Sequence, residues 1–155
     1  GRQKGLDIRY GNIESDDFTL DTKFDAIFAN NLFEHMSSPH EFLFRIKKYL
    51  KPDGILILGV PVIPKIVSLV HLRKFRGSLA TPHINFFTRE TLIKTAERAG
   101  WRPVATRGFH FANSILDHLL DPIYPHFYLV AKIDPDFTYP EKRLKELIGY
   151  GDSNR

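Results

Sequence analysis

Cysteine is absent from the 155 residues. Disulfide frameworks, thiolate zinc sites and thiol nucleophiles are therefore excluded. No run approaches the roughly 18 consecutive apolar residues that a membrane-spanning helix needs, and no signal-peptide pattern opens the chain. Internal repeats and low-complexity stretches are also missing. Charge of one sign is not massed anywhere: 22 Lys and Arg against 18 Asp and Glu leave a net +4. The densest basic groups are Lys47, Lys48 and Lys51, then Arg73, Lys74 and Arg76. We read both as solvated helix faces, with a phosphate-rich partner as the competing reading. This balance is too mild to point to nucleic acid, and no aromatic-plus-basic recognition motif accompanies it. The first residue is Gly1 rather than Met, which we take as an expectation that the chain is trimmed or fragmentary.

What remains is an ordinary globular composition, 43% apolar and 26% charged. With the chain length it predicts one soluble, cytoplasmic domain, and the strand and helix patterns along the chain make its class α/β. Residues 6–13 alternate loosely around Ile8, Tyr10 and Ile13 and suggest a short strand, followed by a polar loop over 14–22. Residues 24–29 (FDAIFA) form a nearly continuous apolar run that suits a strand buried on both faces. Ser38-Pro39-His40-Glu41 predicts a helix start, with Ser38 as cap and Glu41 completing a capping box. Phe42, Leu43, Ile46, Tyr49 and Leu50 then share one face. Lys51-Pro52-Asp53-Gly54 is a turn, and residues 55–60 (ILILGV) form a second buried strand. Strand, helix, strand at this spacing is a βαβ unit. Beyond it we expect a short apolar helix over 63–72, a helix capped by Thr88 and closed by Gly100, and strands over 101–106 and 126–133. A helical insertion over 114–120 and a charged helix over 140–148 complete the reading.

Several of these segments resemble the class I S-adenosylmethionine (SAM)-dependent methyltransferases, in particular their type 11, 12 and 23 families. Phe24-Asp25-Ala26-Ile27 is similar to the fourth strand of that fold, and Asn31-Leu32-Phe33-Glu34-His35 to the x-L-x-E-H segment after it. Leu50-Lys51-Pro52-Asp53-Gly54 resembles an L-K-P-G-G turn, with Asp53 replacing the first glycine. His83-Ile84-Asn85-Phe86-Phe87-Thr88, with Glu90, Leu92 and Ala99-Gly100-Trp101, resembles an H-x-x-F-F-T…L…A-G-F block. The likeness runs over about residues 5–133. It implies a Rossmann-like sheet whose full strand order is 3-2-1-4-5-7-6, with the last two strands antiparallel.

The family also opens with a strand, a G-x-G-x-G loop and a helix that grip the cofactor, and no G-x-G-x-G occurs here. The resemblance therefore implies a partial sheet lacking its first two strands. Residues 1–133 would be the partial methyltransferase domain, 61–87 its substrate or lid segment, and 134–155 a C-terminal helical tail. Two consequences are expected. This chain alone should bind SAM weakly and be inactive. The edge of the strand over 24–29 should be bare, to be completed by upstream residues or paired with another chain, as in a homo-oligomer.

For the site, the resemblance implies cofactor contacts from Asn12 and Ile13, after the third strand, and from Asn30, Asn31 and Leu32, after the fourth. Asn12 is equally a turn asparagine on the residues alone. His35 and His83 are candidate general bases for an acceptor hydroxyl or amine. Our reading assigns no metal. The alternative follows from two subgroups, ubiquinone-pathway O-methyltransferases and small-RNA ribose methyltransferases. There an E-x-x-E-H segment and a later histidine bind a divalent cation. Glu34, His35 and His83 would take those places and could hold Mg²⁺, Mn²⁺ or Zn²⁺, with Asn31 where the first glutamate would stand. The implied function is methyl transfer from SAM to a small-molecule acceptor, an acidic, phosphorylated or lipid-linked one being compatible with the basic residues 73–76. A methyltransferase-like remnant that binds a partner through its open edge is the alternative.

Overall fold

The computed structural model describes residues 2–64, 83–108 and 124–152. Its sheet is built from β1 (Phe24–Asn30), β2 (Leu50–Pro61), β3 (Trp101–Arg107) and β4 (His126–Ile133), in the order β1-β2-β4-β3. β1 and β2 run parallel, and β4 is antiparallel to both its neighbours. This is the 4-5-7-6 end of the sheet order that the sequence resemblance implies. Among the described residues three α-helices accompany it: α1 (Pro39–Ile46), α2 (Arg89–Arg98) and α3 (Glu141–Asp152).

Alternation along the central strands decides which face of the sheet is covered. Leu56, Leu58 and Val60 of β2, with Phe127, Leu129 and Ala131 of β4, are buried. They share one core cluster with Phe42, Leu43 and Ile46 of α1 and with Leu92 and Ala96 of α2. Phe42, Leu43 and Ile46 of the predicted stripe are thus buried on one face of α1, whereas Tyr49 lies in a 3-10 turn, Lys47–Tyr49, and Leu50 opens β2. Thr88 caps α2 as expected: its hydroxyl accepts from the Thr91 amide at 3.1 Å, and the Thr91 hydroxyl accepts from the Thr88 amide at 2.8 Å. Gly100 ends that helix in the left-handed region at φ 73°, where only glycine is free of strain.

Several expectations are corrected. Residues 6–13 form no strand and are largely exposed. Alternation makes a segment compatible with a sheet, but a strand also needs a ladder partner, and no described strand offers one. β1 is not buried on both faces. Only Ala29 is fully covered, and Phe28 is 62% exposed, because β1 is an edge strand. β2 begins at Leu50 instead of residue 55, so the Lys51–Gly54 turn residues become an irregularity between the pairs Phe24↔Leu50 and Ala26↔Ile55. Ser38 makes no side-chain cap, and no capping box forms with Glu41. Instead the Glu14 carboxylate, from the loop before β1, accepts the Ser37 and Ser38 amides at 2.7 and 3.3 Å. Glu41 pairs with Arg45, which also binds Asp16. The helices expected over 63–72 and 114–120, and the basic group Arg73, Lys74 and Arg76, lie outside the described residues.

The first basic group has structural occupations. Lys51 pairs with Asp25 at 2.9 Å. The Lys48 ammonium lies over the Tyr49 ring. Lys47 stands among the rings of Trp101, Phe137 and Tyr139, 5.1–5.8 Å from their centroids, and holds the segment after β4 against α1. Burial lowers its pKa to about 8, with Asp134 pulling the other way. Between pH 8 and the ordinary lysine value the unfolded chain then binds more protons than the folded one, so stability rises with pH across that window. Urea midpoints measured from pH 7.5 to 10 should increase, and Lys47→Met should flatten the increase. A wild-type curve that falls over the same interval contradicts the placement.

Bare β1 also has a measurable consequence. Its outer edge offers unpaired backbone groups among the described residues, beside the exposed Phe28 ring stacked on Tyr128. Sedimentation of this chain should show concentration-dependent association that Phe28→Lys reduces, because a charge on an edge strand opposes pairing. A wild-type chain that stays monomeric at every concentration contradicts it.

Candidate active site at the strand rim

β1 and β2 end side by side, with Asn30 opposite Gly59. Open α/β sheets place ligands at this rim, beyond the carboxyl ends of parallel strands. Asn31 turns the chain off β1 in the left-handed region at φ 50°, which asparagine tolerates better than most residues. Its amide donates to the Gly59 carbonyl at 2.8 Å, and its side-chain oxygen meets His126 Nε2 at 3.0 Å. Gly59 leaves room for both neighbours here: a Cβ would force the Asn30 side chain and the Tyr128 ring to shift.

A short 3-10 turn, Phe33–His35, follows. Phe33 is fully buried and stacks on Phe87 at 5.2 Å, which anchors the turn. The turn places Glu34 inside, 1% exposed, and leaves His35 half-buried. The second wall comes from the chain before α2. Ile63 donates to the Phe87 carbonyl at 2.8 Å, fixing this segment to the end of β2. Ile84 and Asn85 donate to the Glu34 carbonyl at 3.2 and 2.9 Å. His83 is thereby brought to Glu34 across 49 residues of chain.

The three side chains converge. His35 Nε2 and His83 Nε2 lie 3.8 and 3.9 Å from Glu34 Oε1, and the two imidazole rings are 5.0 Å apart. One ligand atom from each residue lies within 4.8 Å of the others. Both Glu34 oxygens are buried and accept no hydrogen bond from a described residue. A buried carboxylate without donors is costly, and natural structures seldom leave one so. Its neighbours are two groups that can carry positive charge or bind a cation. Ligands on one divalent ion sit about 2.0–2.2 Å from it, so side-chain rotations of about 1 Å would close this set around an ion. The donors therefore fit a divalent cation.

The five residues expected to line the cofactor have mixed surroundings. Asn30, Asn31 and Leu32 reach the same rim as Glu34 and His35. Asn12 makes a turn, its side-chain oxygen accepting from the Glu14 amide at 3.0 Å, and it lines a cavity of about 430 Å³ with Arg9, Tyr10 and Phe18. Ile13 lines an apolar cleft with Phe24, Ile27 and Tyr49. Glu14 ties this loop to Ser37 and Ser38, just past the triad. Sequence reasoning passed over Asn85, His126 and Glu14. Asn85 lies inside the His83–Thr88 block, but bonds to distant carbonyls leave no pattern in a sequence.

Comparison with known proteins gives the frame for this geometry. A methyltransferase-domain family model matches residues 4–106. Ubiquinone biosynthesis O-methyltransferase of Dinoroseobacter shibae is 28% identical over 116 residues, 70% of this chain and 47% of that protein. The protein of the same name from Roseobacter denitrificans is 23% identical over equal shares. The chain thus spans about half the length of the curated relatives it matches, 47% of each. The crystal structure of an S-adenosylmethionine-dependent methyltransferase from Clostridium acetobutylicum superposes with a TM-score of 0.58 at 10% identity, covering 86% of this chain and 68% of that one. At such identity the likeness shows the fold alone. The family match spans well over half of the chain and includes the β1–α1–β2 unit with both walls of the triad, so this chain belongs to the methyltransferase-domain family.

Proposed function

We propose that this chain carries the acceptor side of a SAM-dependent methyltransferase that methylates a hydroxyl group of a small molecule. The observation that carries the reading is the buried Glu34, its oxygens without hydrogen-bond donors, set between two imidazoles at the carboxyl rim of the parallel strands. The names of the two curated relatives, both O-methyltransferases, support the choice of oxygen over nitrogen.

The methyl of SAM is already activated, so the protein must align the acceptor oxygen with the methyl carbon, exclude water and take up the hydroxyl proton. Asn30, Asn31 and Leu32, with Asn12 and Ile13, would line the cofactor side. His35 Nε2 or His83 Nε2 would accept the hydroxyl proton, and the adjacent Glu34 carboxylate would stabilise the imidazolium that forms. The orphaned Glu34 oxygens favour a second form of the same site, in which one Glu34 oxygen and the two Nε2 atoms hold a divalent cation. Such an ion lowers the pKa of a bound hydroxyl. The described residues include no glycine-rich cofactor loop, so this chain taken alone should give little heat on titration with SAM.

The test is methyl transfer from radiolabelled SAM to phenolic and catechol acceptors, run on the complete gene product. His83→Ala should lower kcat by roughly 100-fold or more while the KM for SAM changes little. Chelation followed by Mn²⁺ addition separates the two forms of the site: only the cation form loses and regains activity. Unchanged turnover in both His35→Ala and His83→Ala removes the assignment.

A further inference from the structure

We infer that Asn85 is the positioning residue of this site, the group that holds His83 at working distance from Glu34 and His35. The inference rests on the reading of that triad as functional and assigns a role to a side chain outside it.

His83 belongs to no helix or strand, and its backbone needs something to fix it. The two residues after it supply this. Asn85 engages the 3-10 turn twice over, from its backbone and from its side chain. Its main-chain N–H donates to the Glu34 carbonyl at 2.9 Å, beside the Ile84 N–H at 3.2 Å. Its side-chain Nδ2 reaches past to the Met36 carbonyl at 2.7 Å and lies 3.4 Å from the Glu34 carbonyl. One residue thus reaches the carbonyls on both sides of His35.

These carbonyls are the ones a short helical turn leaves open at its end, since a 3-10 turn of three residues cannot satisfy its own last acceptors. The clamp therefore serves two purposes. It satisfies exposed acceptors of the turn, and it transfers the position of that turn to the segment bearing His83. Asn85 is followed by Phe86 and Phe87, and Phe87 stacks on Phe33 of the same turn. Phe87 fixes the segment to the end of β2 through the hydrogen bond its carbonyl accepts from Ile63, and to the turn itself through packing alone, which tolerates sliding. The Asn85 bonds are directional and remove that freedom.

The chemistry of the side chain is specific. Two carbonyl oxygens require a donor, and an amide NH₂ has two. Aspartate has almost the same shape and presents only acceptors when ionised, so Asn85→Asp sets a negative charge against two carbonyl oxygens. Glutamine keeps the donors on a side chain one methylene longer. The order of effect should be Asp worst, Ala next and Gln mildest, which a demand for packing volume alone does not produce.

Two readouts on the full chain test this. The first needs no metal: nuclear Overhauser contacts between the His35 and His83 rings, whose centroids lie 5.0 Å apart, together with hydrogen exchange at the Ile84 and Asn85 amides. Wild type should show the ring contacts and slowed exchange. Asn85→Asp should lose the contacts and exchange at least tenfold faster at Ile84, while the core amides of β2 stay protected. The second is Co²⁺ titration followed by visible absorption, where Asn85→Asp should weaken binding at least tenfold and Asn85→Gln should recover part of it. Thr88→Ala, which removes the α2 cap in the same segment, controls for general loosening and should leave the ring contacts intact. Ring contacts that persist in Asn85→Asp overturn the inference. Wild type that keeps the ring contacts but binds no Co²⁺ leaves the positioning role standing and removes only the cation form of the site.

Discussion

Replacing Glu34 with methionine should make the metal-free protein more stable and functionally dead at once. The carboxylate is buried, both of its oxygens lack donors, and the nearest cationic candidates stand beyond hydrogen-bond reach. Exchanging a buried polar group that lacks hydrogen-bond donors for an apolar side chain of similar length removes a desolvation cost of about 1–3 kcal/mol. For a domain of this size that corresponds to a rise in Tm of roughly 3–10 °C. Thermal melts of wild type and Glu34→Met, both in the presence of a chelator, read the effect directly. Methyl transfer by the complete gene product should fall by at least about 100-fold in the same variant. Residues kept at a cost in stability are the expected signature of a site. A Glu34→Met chain that melts lower than wild type in chelator would mean that the carboxylate has structural partners and that the site assignment is wrong.

The second large effect concerns the support beneath the site. Trp101 opens β3, is 1% exposed, and donates from Nε1 to the Leu43 carbonyl of α1 at 3.1 Å. It ties the sheet to the helix whose first turn follows the triad. Trp101→Ala should cost about 3–5 kcal/mol through lost burial and the cavity left behind. Trp101→Phe keeps much of the packing, loses the donor and leaves the Leu43 carbonyl without it, at about 1–3 kcal/mol. Denaturant titrations of the two variants check the ordering. A Trp101→Phe chain as unstable as Trp101→Ala would place the whole effect in the hydrogen bond and contradict this account of the packing.

The parts of the fold that were legible are those where a pattern and its physical cause coincide within one segment. β1, α1 and β2 follow from two apolar runs of strand length around a stripe repeating at three and four residues, and α2 from a threonine cap and a terminal glycine. The sheet order came from resemblance, which carries long-range pairing that local patterns do not. What failed were features that depend on a distant partner. Residues 6–13 alternate but have no described ladder to join. Ser38 lies where a cap belongs, yet Glu14 performs the task from 24 residues away. The apolar β1 run suits a doubly buried strand, although among the described residues it has a strand neighbour on one side only. Within the site, Glu34, His35 and His83 were legible as residue types in a familiar order. Their convergence, and the Asn85 clamp that supports it, became visible only once the chain had closed on itself.

The proposed activity requires Glu34, His35 and His83 to meet at the rim of β1 and β2 as one polar site able to receive a cation. Anomalous diffraction from crystals soaked in Mn²⁺ tests this most directly. The account predicts a peak with a Glu34 oxygen, His35 Nε2 and His83 Nε2 all within about 2.0–2.4 Å of it. Density with no peak at this rim, and with the Glu34 oxygens hydrogen-bonded to other side chains of the protein, would contradict it.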